Sequence, residues 1–540
     1  MLNGVVEHYL DSLEEREFDS PFIALLRALG YYDIHFLHGS FEFGKDFIAK
    51  ARVEGSETQY AFQTKAGDIN RTTWDAARGQ IDMLRTDTIA HPSFDTTLPR
   101  KAVFVTTGRL VGAAPAAAQN YRDHLARMGE ITFTIWDKQD LIQSITTDPR
   151  ILLASDAHGA FLMLLGQIDE GKVTDQDIER YSRRWLSSPK SVFQLMIEGS
   201  VIAQRLRIAA RLDLSCLTAL ALIRATWSRT HTHDPVDSIS VLAADAGEQM
   251  FRQYAWNLFD RCGEDMLEPI NFLRHHGSLA SHVTYPILCL RTVELLGLLY
   301  LLDAPGDQPR RDELGKFVVS FIQANPGVAH PISDRWAVSL IPAALTAFQR
   351  DDIQSIRDLL QNVTKWVADR YDSNGLGLSA ADSAPREEVD CLLGDSFEHI
   401  QISRRTESYL ATIVLDLAAI LGLGDLFNTA RNEFLAVDLV PTMIESPDTT
   451  AQYVLRSGEL SFTPNVEYVE SWQPQDGWKV APHHKRARSD YYLQRIDRHW
   501  DHLALSSVLR DRHYLETWRH FLVVWGAGTA VAGAKFPSQQ

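Results

Sequence analysis

The chain has 540 residues, with 53 Lys and Arg against 70 Asp and Glu, and a formal net charge of −17 at pH 7. This length exceeds what one hydrophobic core usually supports, which predicts two or more domains. The hydrophobic fraction of 45% and the charged fraction of 23% are ordinary for a soluble globular protein, and they exclude wholesale disorder and collagen. The four cysteines are far apart and lack CxxC spacing, so we expect thiols of a reducing compartment and neither disulfides nor a zinc site.

The excess of acidic residues bears on nucleic-acid binding. Contacts to phosphate need Lys and Arg, so this chain is not expected to coat nucleic acid by bulk charge. A nuclease is not excluded, because the carboxylates of a metal site lower the net charge and basic residues need to line only one groove.

Neither a targeting segment nor a membrane span is indicated by the sequence. The N-terminal residues carry no basic region and are followed by acidic residues, which is not the pattern of a secretory signal. The apolar stretch 285–304 contains Arg291 and Glu294 and so suits a buried helix better than a span, and the apolar stretch 521–534 is short for a bilayer. We therefore expect a soluble, cytoplasmic protein without a membrane partner.

Residues 1–150 alternate between helix and strand patterns. The segment Phe18–Leu29 carries apolar residues at helical spacing and ends before Gly30. Residues 54–57 are Glu-Gly-Ser-Glu, a turn that predicts a hairpin between the strands on either side. In chain order we predict a helix at 18–29, strands at 33–37, 46–53 and 58–65, a helix at 73–84, a strand at 101–107, a helix at 113–128, a strand at 131–136 and a helix from 138 to 144. This order predicts an α/β domain in which a small mixed sheet is flanked by helices.

Residues 160–540 show few strand patterns and many long helical ones. The predicted helices cover 192–212, 214–229, 246–259, 288–302, 314–323, 336–349, 353–369 and 409–423. We therefore expect a large, mostly α-helical region, separated from the first domain between Thr147 and Gly159. A further break is expected at 438–450.

Three polar residues of the predicted hairpin share one face of the sheet. A turn centred after Gly55 sets Asp46 opposite Lys65, and directly opposite residues point to the same face. The same register sets Ile48 opposite Gln63. Gln63 and Lys65 are two residues apart and also share a face, so Asp46, Gln63 and Lys65 converge. The aromatic side chains of the hairpin then point into a core on the other face: Phe47, Tyr60 and Phe62.

A carboxylate, an amide oxygen and an ammonium on one face suit phosphodiester hydrolysis. Mg²⁺ prefers oxygen ligands and keeps several waters, so Asp46 and the amide oxygen of Gln63 are candidate ligands. Lys65 is a candidate to hold or activate the attacking water and to offset the charge that develops on phosphorus. We therefore predict Asp46, Gln63 and Lys65 as catalytic residues.

These residues and their surroundings resemble the PD-(D/E)xK restriction-endonuclease superfamily in its Asp…Gln-x-Lys form, and especially Mrr-like nucleases. Gly44-Lys45-Asp46 is similar to the family's entry into its metal-binding strand, and Gln63-Thr64-Lys65 to its Gln-x-Lys strand. The apolar strand 103–108, an Ala-rich helix and the strand ending at 135–137 are similar to the family's later elements. The resemblance covers residues 1–150 and does not extend to the rest of the chain.

The resemblance implies a restriction-endonuclease-like fold, DNA as substrate, Mg²⁺ as cofactor with Mn²⁺ as a substitute, and a setting in prokaryotic antiphage defence. The family's first helix usually carries an acid that helps bind metal, and Asp19 stands at its place. Glu42, near the strand entry, is either a further acid of the metal site or an ordinary loop carboxylate.

The two-part layout suggests a nuclease that is restrained by a helical sensor or assembly region. One such site cuts one strand, so a double-strand break needs two sites, which favours a homo-oligomer. The sequence contains no Walker A loop, so any ATP-dependent step would require a separate sensor or ATPase partner.

Other interpretations stay open at this point. The first domain could be a nuclease-derived, catalytically inactive module that binds nucleic acid or serves as an interaction scaffold, or its hairpin could carry an ordinary surface ion pair. The basic, aromatic stretch 483–520 is either a nucleic-acid contact or an amphipathic helical hairpin, with the second favoured. His231-Thr232-His233 is interpreted as a polar loop.

Overall fold

The protein forms two compact units, Met1–Arg211 and Leu212–Gln540, each with its own core. The computed structural model describes residues 6–7, 9–11, 13, 18–37, 46–53, 55–86, 91–129, 133–147, 158–187, 192–230, 238–268, 278–302, 308–372, 375–381, 383–394, 405–444, 462–464 and 499–510. Glu42, Gly44, Lys45 and the loop 231–233 therefore lie outside the described residues. The same holds for the stretch 483–520, apart from 499–510.

A five-stranded mixed sheet with the order β1-β2-β3-β4-β5 forms the centre of the first unit. The first three strands are antiparallel, and β4 and β5 run parallel to β3. Their bounds are Tyr32–Phe36 for β1, Phe47–Val53 for β2, Ser56–Lys65 for β3, Arg100–Thr106 for β4 and Phe133–Trp136 for β5. All five strands were predicted from the sequence, and the description of a small mixed sheet flanked by helices is confirmed.

Helices cover both faces of this sheet, and each face packs with different residues. On one face Phe22 contacts Phe47 and Phe62, with ring centroids 5.4 Å apart in both pairs. On the other face Ile48 and Phe104 pack in a core with the helix that carries Trp74, and with a second helix. The helices of the sheet region are α1 (Asp19–Ala28), α2 (Arg71–Thr86), α3 (Ala114–Arg127) and α4 (Lys138–Thr147).

The first compact unit continues past the sheet through three helices. They are α5 (His158–Asp169), α6 (Asp175–Ser187) and α7 (Val192–Ile208), and α7 packs on α1. The predicted boundary near 150–160 therefore marks the end of the sheet region, whereas the compact unit ends at Arg211. The sequence could not indicate this, because helical periodicity shows that a helix buries a face but not which partner it packs against.

The second unit is mostly helical in its described residues, as predicted. Its helices are α8 (Leu212–Thr230), α9 (Ser238–Phe259), α10 (Ser278–Leu302), α11 (Gln308–Ala324), α12 (Leu340–Gln349), α13 (Ile353–Tyr371), α14 (Pro385–Leu393), α15 (Tyr409–Ile420), α16 (Gly424–Ala436) and α17 (His499–Leu509). The last of these packs on α8 and α10, although it lies far from them in the chain.

A small second sheet in this unit was missed by the sequence analysis. It has the order β6-β7-β8, formed by Glu407–Ser408, Val440–Ile444 and Phe462–Pro464. Strands of two to five residues are too short to show a clear alternation of apolar and polar positions. The break expected at 438–450 falls partly on β7, which pairs with β6, and its residues 445–450 lie outside the described part.

The apolar helix α10 is largely buried inside the protein. Its segment His282–Leu302 is the one part of the described chain long and apolar enough to cross a membrane, and 78% of that window is buried. This is the burial expected for the core helix of a soluble protein, as was predicted from Arg291 and Glu294 within it.

Candidate functional site

The structure brings Asp46 and Gln63 together at the end of the β2–β3 hairpin. Phe47 pairs with Phe62 along the ladder, and the backbone N–H of Asp46 donates to the Phe62 carbonyl at 3.0 Å, so Asp46 lies opposite Gln63. The predicted register had set Asp46 opposite Lys65, and it is wrong by two residues.

The error comes from the position of the turn. Val53 pairs with Ser56, so the turn is centred before Gly55 and not after it. Gly55 has φ +84°, a conformation that favours glycine in the tight turns that match the twist of a hairpin. A shift of two residues keeps every side chain on its predicted face, so Gln63 and Lys65 still share a face and Phe47 and Phe62 still point the other way.

The Asp46 carboxylate is held by three donors on one oxygen. Oδ2 accepts hydrogen bonds from Gln63 Nε2 at 2.8 Å, from the backbone N–H of Thr64 at 2.7 Å and from Thr64 Oγ1 at 2.8 Å. All three of these donors are neutral groups. They fix the position of the carboxylate through hydrogen bonds.

Gln63 is buried, and one end of its amide has no hydrogen-bond partner. The residue is 2% exposed, because its face of β3 is covered by the helical layer that contains α2. Nε2 is 2.8 Å from Asp46 Oδ2 and 3.4 Å from the Thr64 carbonyl oxygen. Oε1 is buried without a partner, which is costly for an amide oxygen. The amide therefore lies in a site whose hydrogen bonding is incomplete.

Lys65 ends β3 two residues beyond Gln63 and on the same face. It pairs with Thr106 of the parallel neighbour β4, and its carbonyl accepts a hydrogen bond from the backbone N–H of Thr107 at 3.1 Å. The residue is partly exposed, in contrast to the buried Gln63. The sheet thus leads from a buried amide to an ammonium group at its surface.

Asp19 lies on a different layer from Gln63. It is the first residue of α1, whose Phe22 packs against Phe47 on the aromatic face of the sheet. No three His, Cys, Asp or Glu side chains in the described part of the chain converge as a metal cluster. The structure therefore groups Asp46 with Gln63 and leaves the predicted ligand Asp19 on the element that covers the other face, while Glu42 lies outside the described residues.

The aromatic layer behind the site provides an apolar environment. The rings of Tyr31 and Tyr60 are 4.9 Å apart. Burial, and then the neighbouring Tyr60 hydroxyl, raise the pKa of Tyr31 well above its usual value. Tyr31 also contacts Phe62, 5.7 Å away between ring centroids, on the face of the sheet opposite to Gln63.

Thr64 is a site residue that the sequence analysis missed. Strand alternation placed its side chain on the face opposite to Gln63, whereas its hydroxyl reaches the same Asp46 oxygen as the amide. The sequence did contain one indication of this contact, because the predicted strand begins at Asp46. Beyond a strand end, backbone N–H groups need other acceptors, and a carboxylate is a frequent one.

The chain was also compared with known proteins. No family model, no curated protein and no solved structure matches it.

Proposed function

We propose that the first unit is a Mg²⁺-dependent DNA endonuclease that hydrolyses phosphodiester bonds, with Asp46, Gln63 and Lys65 as its site residues. The observation that carries the proposal is the hydrogen bond from Gln63 Nε2 to Asp46 Oδ2 at 2.8 Å. Lys65 follows Gln63 by two residues on β3 and shares its face of the strand. These groups have the chemistry that metal-assisted hydrolysis requires, and the sheet holds their backbones rigidly.

The oxygen atoms around Gln63 fit a hard cation. Rotating the amide by 180° would set Oε1 beside Asp46 Oδ2 and near the Thr64 carbonyl, an arrangement of oxygens that is unfavourable unless a cation lies among them. The same rotation would end the isolation of the buried Oε1. Asp46 and Gln63, with the Thr64 carbonyl, would therefore hold Mg²⁺, and Mn²⁺ can take its place because it accepts the same ligands.

Lys65 brings a positive charge to the same face of β3 as Gln63. When bound, the metal lowers the pKa of a coordinated water and withdraws charge from phosphate oxygens. The Lys65 ammonium, at the open end of β3, orients the attacking water by hydrogen bonding and stabilises negative charge as it develops on the phosphate. Asp46 and Gln63 keep their positions because the hairpin ladder and Thr64 hold them.

One observation favours the alternative, an inactive module derived from a nuclease. Asp46 Oδ2 accepts three hydrogen bonds, which is also what a carboxylate does when its role is to cap a strand end. In that case the first unit would bind nucleic acid or a partner without metal, and Asp46 would serve stability alone.

The proposal is tested by incubating supercoiled plasmid with the full-length protein in Mg²⁺, in Mn²⁺ and in EDTA. We expect cutting with either metal and none in EDTA. Lys65→Ala should lower the cleavage rate by at least about 100-fold, because one charge-stabilising group contributes that much to catalysis. Lys101→Ala is the matched control, since Lys101 lies at the opposite end of the neighbouring strand β4. It should stay within about threefold of the wild type.

Two results would contradict the proposal. If the Lys65→Ala variant still cuts DNA at the wild-type rate, Lys65 is not a catalytic residue and the proposed site is wrong. Absence of cutting together with absence of Mg²⁺ binding by calorimetry would favour the inactive module.

The biological setting belongs to the same proposal. We propose that the nuclease acts in the cytoplasm as an effector of antiphage defence and is restrained by the helical second unit. Two copies would make a double-strand break, because one site of this kind cuts one strand. Any ATP-dependent step would come from a partner.

A further inference from the structure

The ladder between β3 and β4 is interrupted directly after Lys65. The strands pair in parallel as far as Lys65 and Thr106, and pairing resumes at a bridge between Ile69 and Leu110. Each strand contributes three residues to the gap, so the register is the same before and after it. A continuous ladder would have satisfied the same backbone groups, which means that the gap needs an explanation.

Two threonine hydroxyls replace the missing ladder bonds. Thr106 Oγ1 donates to the Gly67 carbonyl at 2.7 Å, and the Gly67 N–H donates to Thr107 Oγ1 at 2.9 Å. Thr106 Oγ1 also accepts from the Gly108 N–H at 3.2 Å. Both threonines are fully buried. The two hydroxyls therefore bind both polar groups of Gly67.

The backbones in the gap approach too closely for side chains. A Cβ on Gly108 would lie 2.1 Å from the carbonyl carbon of Gly67, far inside any allowed contact. Gly67 itself has φ +74°, which favours glycine. The gap is thus a tight lock between the segments that follow β3 and β4, formed by Gly67, Thr106, Thr107 and Gly108.

We propose that Thr106 and Thr107 are positioning residues for Lys65, and this inference rests on the proposed function. The lock fixes the chain two residues after Lys65, and the Thr107 N–H holds the Lys65 carbonyl. A lysine ammonium stands on a flexible four-carbon stem, so its direction depends on a fixed backbone. Misplacement of a catalytic group by about 1 Å costs on the order of 100-fold in rate.

The test compares Thr→Val with Thr→Ser at the two positions. Thr106→Val and Thr107→Val keep the shape but remove the hydroxyl, whereas the serine variants keep it. In plasmid cleavage we expect each valine variant to lower kcat by about 10- to 100-fold. KM should stay within about twofold, and serine should restore kcat to within about threefold. Thr58→Val is the control, because Thr58 is buried near the opposite end of β3.

A purely structural role predicts a different result. Valine variants that keep kcat and lose only thermal stability would overturn the inference. If a valine variant does not fold, Thr107→Ala takes its place, since alanine removes the same acceptor without setting a methyl group against the Gly67 N–H.

A second readout separates this inference from the proposed function. Lysines are ¹³C-dimethylated in the full-length protein, and the Lys65 NMR signal is assigned from its absence in Lys65→Arg. We expect that signal to shift in Thr107→Val, to return in Thr107→Ser and to stay in place in Thr58→Val. If the wild type does not cut DNA, the proposed function fails, and the Lys65 signal still decides the inference. A Lys65 signal that is the same in wild type and Thr107→Val would overturn it.

Discussion

Each unit holds a carboxylate through several hydrogen bonds, but the donors differ: Asp46 is partly buried and Glu294 is fully buried. In the first unit the Oδ2 atom of Asp46 accepts from an amide, a backbone N–H and a hydroxyl, all of them neutral. In the second unit Glu294 is fully buried and bound by guanidinium groups, from Arg510 at 2.7 Å and from Arg291 at 3.4 Å. Neutral donors fix a carboxylate and leave its charge available to a cation, whereas guanidinium donors neutralise it.

Glu294, Arg291 and Arg510 form a guanidinium cluster that is buried in the second unit. Both arginines also contact the ring of Trp336, with Arg291 4.9 Å and Arg510 5.3 Å from its centroid. Ser339 donates to Glu294 Oε2 at 2.8 Å, the same oxygen that Arg291 contacts. Because Arg510 directly follows α17, this cluster fastens the last described helix to α10. The comparison therefore separates a carboxylate held by neutral donors from one held in a cluster of ion pairs.

The largest effect is expected when the carboxylate of the second unit is neutralised. Glu294→Gln leaves two buried guanidiniums without their counter-charge, which should cost about 3–5 kcal/mol in the free energy of unfolding. The same change at Asp46 should cost only about 1 kcal/mol, because asparagine keeps an oxygen for the neutral donors. Chemical denaturation followed by tryptophan fluorescence and circular dichroism measures both variants.

The exposed Glu433 of α16 provides the control for this comparison. Glu433→Gln should stay within about 0.5 kcal/mol of the wild type. Equal losses at Glu294 and Asp46 would show that the kind of donor does not distinguish the two sites.

A smaller effect is expected when charge is added to the first site. Gln63→Glu sets a second carboxylate beside Asp46, and the ligand charge of a site raises its affinity for a divalent cation. We expect Mg²⁺ affinity to rise about tenfold by calorimetry. In EDTA the variant should melt below the wild type, because two like charges then lie side by side at a partly buried site.

Gln59 offers a matched control on the same face of β3. It is equally buried and accepts from the Asp95 N–H, away from Asp46. Gln59→Glu should lower stability without raising Mg²⁺ affinity. If Gln63→Glu also leaves Mg²⁺ affinity unchanged, Asp46 belongs with Glu294 as a structural carboxylate.

The sequence predicted the fold of the sheet region well, because its strands are long enough to show their pattern. The faces of the hairpin were also correct, since the alternation of Phe47 and Phe62 with polar positions does not depend on register. The register itself was not predictable from the pattern, because it depends on whether the turn is centred before or after Gly55. Only the backbone conformation of that glycine decides this.

The candidate site was predictable in its residue types and not in its contacts. Asp46, Gln63 and Lys65 were predicted as site residues because their chemistry is recognisable in a short motif, and their role stays a prediction. Thr64 was missed because alternation assigns its side chain to the other face and does not show that its hydroxyl reaches Asp46. Glu294 and Arg510 are far apart in the chain, and their ion pair depends on the docking of α17, for which one sequence carries no local signal.

The smallest expected effect is a pH dependence of the free energy of unfolding, caused by Glu294. Burial alone raises the pKa of its carboxyl, but Arg510, Arg291 and the Ser339 hydroxyl outweigh burial and hold that pKa below its ordinary value. Such a group stabilises the folded state fully above the ordinary glutamate pKa of about 4.3, and this contribution is lost as pH falls through the folded value. The free energy of unfolding is measured for wild type and Glu294→Gln from pH about 7 to about 3.5.

The difference between the two unfolding free energies should narrow below pH about 4.3, since protonation makes the wild-type side chain resemble the amide. If the difference in the free energy of unfolding stays constant down to the lowest pH, the Glu294 carboxylate does not titrate in that range. The two arginines would then keep it ionised even at that pH.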